Sequence, residues 1–257
     1  MTQTAQLDDI AKAPLADRRA FVTGGSRGIG AGIVRRLAAD GAAVAFTYRE
    51  TTDAANDLEQ EIIGSGGQAL AVQADSADPE ALRAAISKAV GRFGGLEVLV
   101  NNAGTSHQAP IEEFPMAEYD RILAINVRAV FVAIQAALPH LGTGGRIISI
   151  GSVLADRAPI SGISVYALMK AAVAGLTRNL ARELGPRGIT VNTIQPGPVA
   201  TDMNPDSGEF ADTVRSLTAV GHYGQPHDIA DAVAFLARAE TRFVTGTAWN
   251  IDGGYAL

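Results

Sequence analysis

One stretch limits this chain more than any other: Thr23-Gly24-Gly25-Ser26-Arg27-Gly28-Ile29-Gly30. Before it, Arg19 to Val22 is short and apolar, which predicts a buried parallel strand. After it, Ile33, Val34, Leu37 and Ala38 recur at helical spacing and predict a helix over Ala31 to Asp40. Strand, glycine turn and helix together form a setting for phosphate. Glycines let a ligand approach the main chain, and a helix start offers unpaired N–H groups and a positive dipole end. The spacing is G-x-x-x-G-x-G, not G-x-G-x-x-G, and no Lys-Ser or Lys-Thr follows as in a Walker loop. Alone, it also suits a tight turn with no ligand.

The rest of the chain alternates in the same way. Strands are predicted at Ala42 to Tyr48, Gln68 to Gln73, Leu96 to Val100, Arg146 to Ile150, Thr190 to Ile194 and Ala248 to Ile251. Helices are predicted at Thr52 to Ile63, from Asp78-Pro79 to Arg92, at Ala117 to Leu138, Ser164 to Leu184 and Asp228 to Ala237. Short connections between alternating elements predict one α/β domain, a doubly wound parallel sheet with helices on both faces. Ligands of such sheets bind beyond the carboxyl ends of the strands. Residues 1–16 are expected to be a mobile extension, and 202–224 to hold a short helical lid over a substrate.

Composition narrows the function classes. The 257 residues are 47% hydrophobic and 19% charged, enough for a large core. A net charge of −6 argues against a nucleic-acid or anionic-membrane surface. With no cysteine there is neither a disulfide framework nor thiol catalysis. No apolar run reaches a membrane span, and the first residues lack the order of a signal peptide, so a soluble cytoplasmic protein is expected. The four histidines (His107, His140, His222, His227) lack metal-ligand spacing, and none lies near Ser152 in sequence. No metal is expected, and His107 is a candidate pocket wall.

Tyr166 and Lys170 stand at i and i+4 of one predicted helix, hence on one face. A free tyrosine has a pKa of about 10, and a nearby ammonium lowers it. That pairing suits acid–base work. Ser152 follows a strand, where its hydroxyl can bond a substrate oxygen. Asn126 sits in the apolar run Ile122-Leu123-Ala124-Ile125-Asn126-Val127, where a buried amide needs partners.

With these residues the chain resembles the short-chain dehydrogenase/reductases. Thr-Gly-x-x-x-Gly-Ile-Gly at 23–30, Asn-Asn-Ala-Gly at 101–104, Asn126, Ser152, Tyr-x-x-x-Lys at 166–170 and Pro-Gly at 196–197 stand in the family order. The resemblance covers roughly residues 16–257. Ser152 lies one residue farther from Tyr166 than in many members, which leaves Ser149 as a rival. Local wording at 75–78, 150–153, 185–190 and 195–198 is similar to oxoacyl-reductase members. It is similar also to a cyclic-di-GMP-binding bacterial relative on the same fold.

The resemblance implies a Rossmann-type fold and hydride transfer between a nicotinamide and a small-molecule carbonyl or alcohol. Tyr166 would be the proton donor and acceptor. Lys170 would tune it and hold the nicotinamide ribose, and Asn126 would hold a water leading to Lys170 or bond local backbone. Gly24, Ser26, Arg27, Gly28, Ile29 and Gly30 would cradle the cofactor phosphates. Asp75 and Ser76 would flank the adenine, Asn102, Ala103 and Gly104 the adenosine. Pro196, Gly197, Val199 and Thr201 would flank the nicotinamide. Tyr48 and Arg49 stand where an NAD site usually has an acid. With Arg27 they favour the 2′-phosphate of NADP(H), NAD(H) being the alternative, with Glu50 able to fold back as the missing acid. The family also implies a homo-tetramer or dimer, packed partly through the helices carrying Asn126 and Tyr166.

Overall fold

The computed structural model describes residues 13–257. A single sheet of seven parallel strands has the order β3-β2-β1-β4-β5-β6-β7. The strands are β1 (Arg19–Val22), β2 (Ala43–Tyr48), β3 (Gln68–Gln73), β4 (Val98–Asn101), β5 (Arg146–Ile150), β6 (Thr190–Pro196) and β7 (Ala248–Ile251). Val22 pairs with Phe46 of β2 on one side and Val100 of β4 on the other. The order reverses at β1, so the crevice lies where β1 and β4 end.

Helices cover both faces, each laying an apolar stripe on a strand set buried on both sides. On one face α1 (Gly28–Ala39) packs on α8 (Pro226–Ala237), with Val34, Leu37, Val233 and Leu236 meeting Phe46 and Ile148. On the other, α3 (Pro79–Phe93), α5 (Ala129–Ala137) and α6 (Ser164–Leu184) enclose Leu82, Ile86, Ala133, Ile147, Val173 and Val191. The remaining helices are α2 (Thr52–Gly64), α4 (Met116–Leu123) and α7 (Glu209–Leu217). Asp78 caps α3, accepting from Glu80 N at 2.9 Å and Ala81 N at 3.2 Å. Pro79 opens that helix, and Gly94 ends it at φ 79°.

Three expectations change. First, α1 begins inside the glycine stretch, at Gly28 and not at Ala31. Gly28 stands at φ 54°, a conformation that favours glycine, so the turn itself leads the chain into the helix, and packing on α8 and the sheet outweighs the poor helix propensity of Gly30. Second, the expected helix over Ala117 to Leu138 is interrupted. A π-helical segment, Ala124–Arg128, separates α4 from α5 and carries Asn126. Such a segment inserts a wider turn and is frequent at functional sites. Third, residues 1–12 of the expected extension lie outside the described residues, but residues 13–16 do not extend away. Leu15 is buried, and its N–H donates to Asp40 O at 2.8 Å.

Candidate active site

A cleft of about 610 Å³ opens at the carboxyl ends of the strands. Every site residue named from sequence lines it except Asn126, which stands behind its wall.

The glycine turn is held from three sides. Gly24 N donates to Thr47 Oγ1 at 3.0 Å, and Gly25 N to Thr47 O at 2.8 Å. Asn102 Nδ2 donates to Thr23 O at 2.9 Å and to Gly24 O at 2.8 Å. The N–H groups of Asn102 and Ala103 both donate to Thr23 Oγ1 at 3.0 Å. The Asn102 side chain is thereby committed to the turn, and only its backbone faces a ligand. Gly30 must be glycine, because a Cβ there would lie 2.1 Å from Gly24 O. No side chain caps the start of α1, and its first turn holds no acid. These free N–H groups and the close backbone approach fit a dinucleotide pyrophosphate.

Beyond the turn the cleft reaches two arginines. Arg27 is 3.7 Å from Asp202, and Arg49 is 2.8 Å from Glu50, all four side chains being exposed. Glu50 thus turns onto Arg49. Both guanidiniums lie on the cleft beside Ser26, whose hydroxyl is 2.6 Å from that of Thr51. Asp75 Oδ1 accepts from Ala77 N at 2.8 Å, which fixes the chain leaving β3, while helix entry falls to Asp78. On the opposite wall, Thr201 approaches Gly28, where an added Cβ would lie 3.3 Å from Thr201 Cγ2. Gly197 passes so near Asp252 that a Cβ would lie 2.7 Å from its Cα. Val199 is buried, and its backbone bridges to Gly224.

At the centre stand Ser152, Tyr166 and Lys170. Lys170 is buried and donates to Ile150 O at 2.8 Å. Its Nζ is 5.6 Å from the Tyr166 ring centre. Burial pushes the ammonium down to about 8. Tyr166 corrects an expectation: its phenol is raised, not lowered. Burial is the larger cause, and a hydrogen bond with Ser152 works against it. Two desolvated groups face each other, and the Lys170 proton bond runs to a carbonyl. The phenol is therefore protonated at neutral pH. Ser152 lies at the cleft surface, its Oγ accepting from Leu154 N at 3.2 Å. The rival Ser149 is buried under the sheet end, 3.3 Å from Asn101 Nδ2. Asn126 is buried and bonds the backbone of Thr105 twice, accepting from its N–H at 2.9 Å and donating to its carbonyl at 2.8 Å. A Cβ on Gly104 would stand 3.6 Å from both Asn126 Oδ1 and Lys170 Nζ, so the two side chains share one wall.

Several residues of the cleft carry little or no signal in the sequence. Thr51 follows Arg49 and Glu50 directly, and that adjacency was a usable signal. Thr105 and Arg121 carried none: Arg121 Nη1 donates to Thr105 Oγ1 at 3.1 Å across a helix and a loop. Nor did Tyr255, which the C-terminal tail folds into the cleft beneath Val153 and Val214. His107 does stand on the wall, edge-on to Phe114 with ring centres 5.4 Å apart. Among the described residues, no cluster of His, Asp or Glu could hold a metal.

The family model described as Enoyl-(Acyl carrier protein) reductase matches residues 24–256. A cyclic-di-GMP-binding biofilm dispersal mediator protein of Escherichia coli (strain K12) is 46% identical, over 91% of this chain and 95% of that protein. A solved short-chain dehydrogenase/reductase from Serratia marcescens is 53% identical with a TM-score of 0.94, covering 95% of this chain and all of that one. A short-chain dehydrogenase from Burkholderia cenocepacia, solved with NADP, is 51% identical with a TM-score of 0.93, covering 95% of this chain and 100% of its own. The chain belongs to the short-chain dehydrogenase/reductase family of oxidoreductases.

Proposed function

We propose that this protein is an NADP(H)-dependent oxidoreductase acting on a carbonyl or secondary alcohol, with Tyr166 as its acid–base group. One observation carries the reading: Ser152, Tyr166 and Lys170 meet on a cleft whose far end holds the glycine turn and two arginines. Solved relatives with NADP support the cofactor. When bound, the cofactor supplies or accepts a hydride at its nicotinamide.

The chain's own residues do the rest. Gly24 to Gly30 hold the pyrophosphate, Arg27 and Arg49 the 2′-phosphate, and Pro196 to Thr201 orient the ring. Ser152 bonds the substrate oxygen and shares charge that develops there. Tyr166 gives its proton to that oxygen in reduction and takes it back in oxidation. Lys170, charged below about pH 8, stabilises the phenolate so formed. Asn126 keeps Thr105 and the adjoining wall in place, and the segment over 202–224 acts as a lid. The unfilled groove among Leu123, Val127, Phe131 and Leu176, with Phe131 half exposed, suits a second copy and supports the homo-tetramer or dimer of the family reading. No helix among the described residues is long and apolar enough to cross a membrane.

The E. coli relative favours a second reading, a cyclic-di-GMP-binding regulator. Nothing in binding alone calls for a phenol beside a buried ammonium. If both ligands bind, Arg27 and Arg49 would serve both, and NADPH would displace the cyclic dinucleotide. Calorimetry with each ligand, alone and in competition, decides between them, together with NADPH oxidation at 340 nm over ketones, aldehydes and acyl-thioesters. Tight cyclic-di-GMP binding indifferent to saturating NADPH, without turnover, overturns the enzyme reading.

A further inference from the structure

The end of the cleft beyond Tyr166 differs from the cofactor end. Its lining is mostly apolar, with Leu154, Ile160, Ile163, Met203, Phe210 and Val214, and takes Ser106, Gln108 and Asn204 as its uncharged polar groups. Met203 and Phe210 are large apolar side chains more than half exposed, at 56% and 54%. They stand on the segment that leads into and forms α7, and they face the cleft, not the core. Tyr255 closes the bottom. Its ring is buried with Val153, Ala211 and Val214, and Arg157 holds it, packing on the ring and donating to the Tyr255 carbonyl.

Among the described residues, the two permanent cations at this end, Arg121 and Lys170, are already bonded. Arg121 bonds Glu118 through two nitrogens, Nε at 2.9 Å and Nη2 at 2.6 Å. His107 packs on Phe114 in a T-shaped contact. Lys170 is buried and bonded to Ile150 O. An anionic substituent would therefore have to displace Glu118 from Arg121, which is held by three hydrogen bonds to Glu118 and Thr105, before it met a cation. An apolar one would cover Met203 and Phe210.

We propose that the substrate is a neutral carbonyl compound with an apolar alkyl or aryl body, held between Ile160, Ile163, Met203 and Phe210 over Tyr255. This rests on the oxidoreductase reading and adds the substrate class to it. Phe210 and Met203 determine specificity, and Tyr255 is a positioning residue that holds the wall for them.

Two measurements test it. In the first, NADPH-dependent kcat/KM is compared across neutral ketones of growing alkyl or aryl size and across analogues carrying a terminal carboxylate. The expected result is about a fourfold gain per added methylene until the wall is filled, with carboxylates at least a hundredfold slower. The double variant Met203→Ser, Phe210→Ser should flatten that gain to less than twofold per methylene without altering the dissociation constant for NADPH. Faster turnover of the carboxylates, or a gain unchanged in the double variant, overturns the proposal and leaves the oxidoreductase reading standing. In the second, calorimetry follows 1-phenylethanol and mandelate binding to the NADPH-loaded protein, a pairing in which no hydride can move. Phenylethanol should bind at least tenfold more tightly. Mandelate binding as tightly sinks the proposal whatever the activity. Tight phenylethanol binding with no turnover of any carbonyl sinks the oxidoreductase reading instead.

Discussion

The Lys170 ammonium stands 5.6 Å from the centre of the Tyr166 ring, and its hydrogen bond goes to the Ile150 carbonyl at 2.8 Å. The two groups are neighbours on one helix face, yet the lysine is anchored to the sheet. That leaves the phenol as the group free to meet a substrate, with Ser152 beside it.

Tyr166→Phe removes the proton donor and little else. It should lower kcat at least a hundredfold while NADPH affinity, read by calorimetry, stays within about twofold. A variant keeping more than about a tenth of wild-type kcat has lost less than ~1.4 kcal/mol, too little for the assigned role.

Lys170 has a pKa of about 8 in the fold against an ordinary 10.5. Its charged form is the one burial disfavours. In the free protein this group therefore opposes folding below about pH 8, and that penalty is relieved as pH rises from 8 toward 10.5. Activity has the opposite sign. Carbonyl reduction needs the ammonium to support the phenolate, so kcat/KM should fall as pH rises through about 8. Lys170→Met should abolish turnover, weaken NADPH binding and stabilise the empty protein at pH 7. The gain is about 2 kcal/mol, the ~3 kcal/mol desolvation less the lost bond to Ile150. Thermal unfolding across pH 6 to 10 tests the first claim and the pH profile of kcat/KM the second. A profile flat through pH 8 would show that the charge of Lys170 does not matter to reduction.

Arg27 and Arg49 each have a carboxylate neighbour that a 2′-phosphate would replace. Arg49→Ala should raise the KM for NADPH at least tenfold more than the KM for NADH. Equal effects on both count against the NADP assignment. Asp202→Asn frees Arg27 and should lower the NADPH KM by about two- to threefold at low salt. Exposed pairs are worth only about 0.2–1 kcal/mol, so the effect should shrink as salt is added.

Much of this was legible in the sequence because local rules and topology agreed. The strand and glycine turn at 19–27 lie where alternation put them, and the helix after them begins three residues early. Asp78-Pro79 opens a helix, as its capping chemistry dictates. What stayed illegible depends on contacts between distant segments. Apolar periodicity runs smoothly through Ile122 to Val132, so nothing there signals the π turn at Asn126. Tyr255 reaches the cleft only because Arg157 holds the tail. Periodicity gives the proximity of Tyr166 to Lys170 but not the depth at which Lys170 is buried.

Asn126 is where fold and site are hardest to separate, and one substitution can part them. Its amide satisfies both backbone groups of Thr105, and it does so from the π turn. Asn126→Ala takes the side-chain partner from that N–H and that carbonyl in a half-buried segment, at about 1–2 kcal/mol each. Asn126→Asp keeps the acceptor for Thr105 N–H but sets a carboxylate oxygen against Thr105 O. It should therefore be no better than alanine. Both variants should lower the unfolding free energy by about 2–4 kcal/mol, speed amide exchange at Thr105 and reduce kcat together. A wild-type unfolding curve with kcat lost would mean that Asn126 acts on the proton path to Lys170 and not as the clamp on Thr105. Unfolding and exchange measured on the same two proteins separate the outcomes.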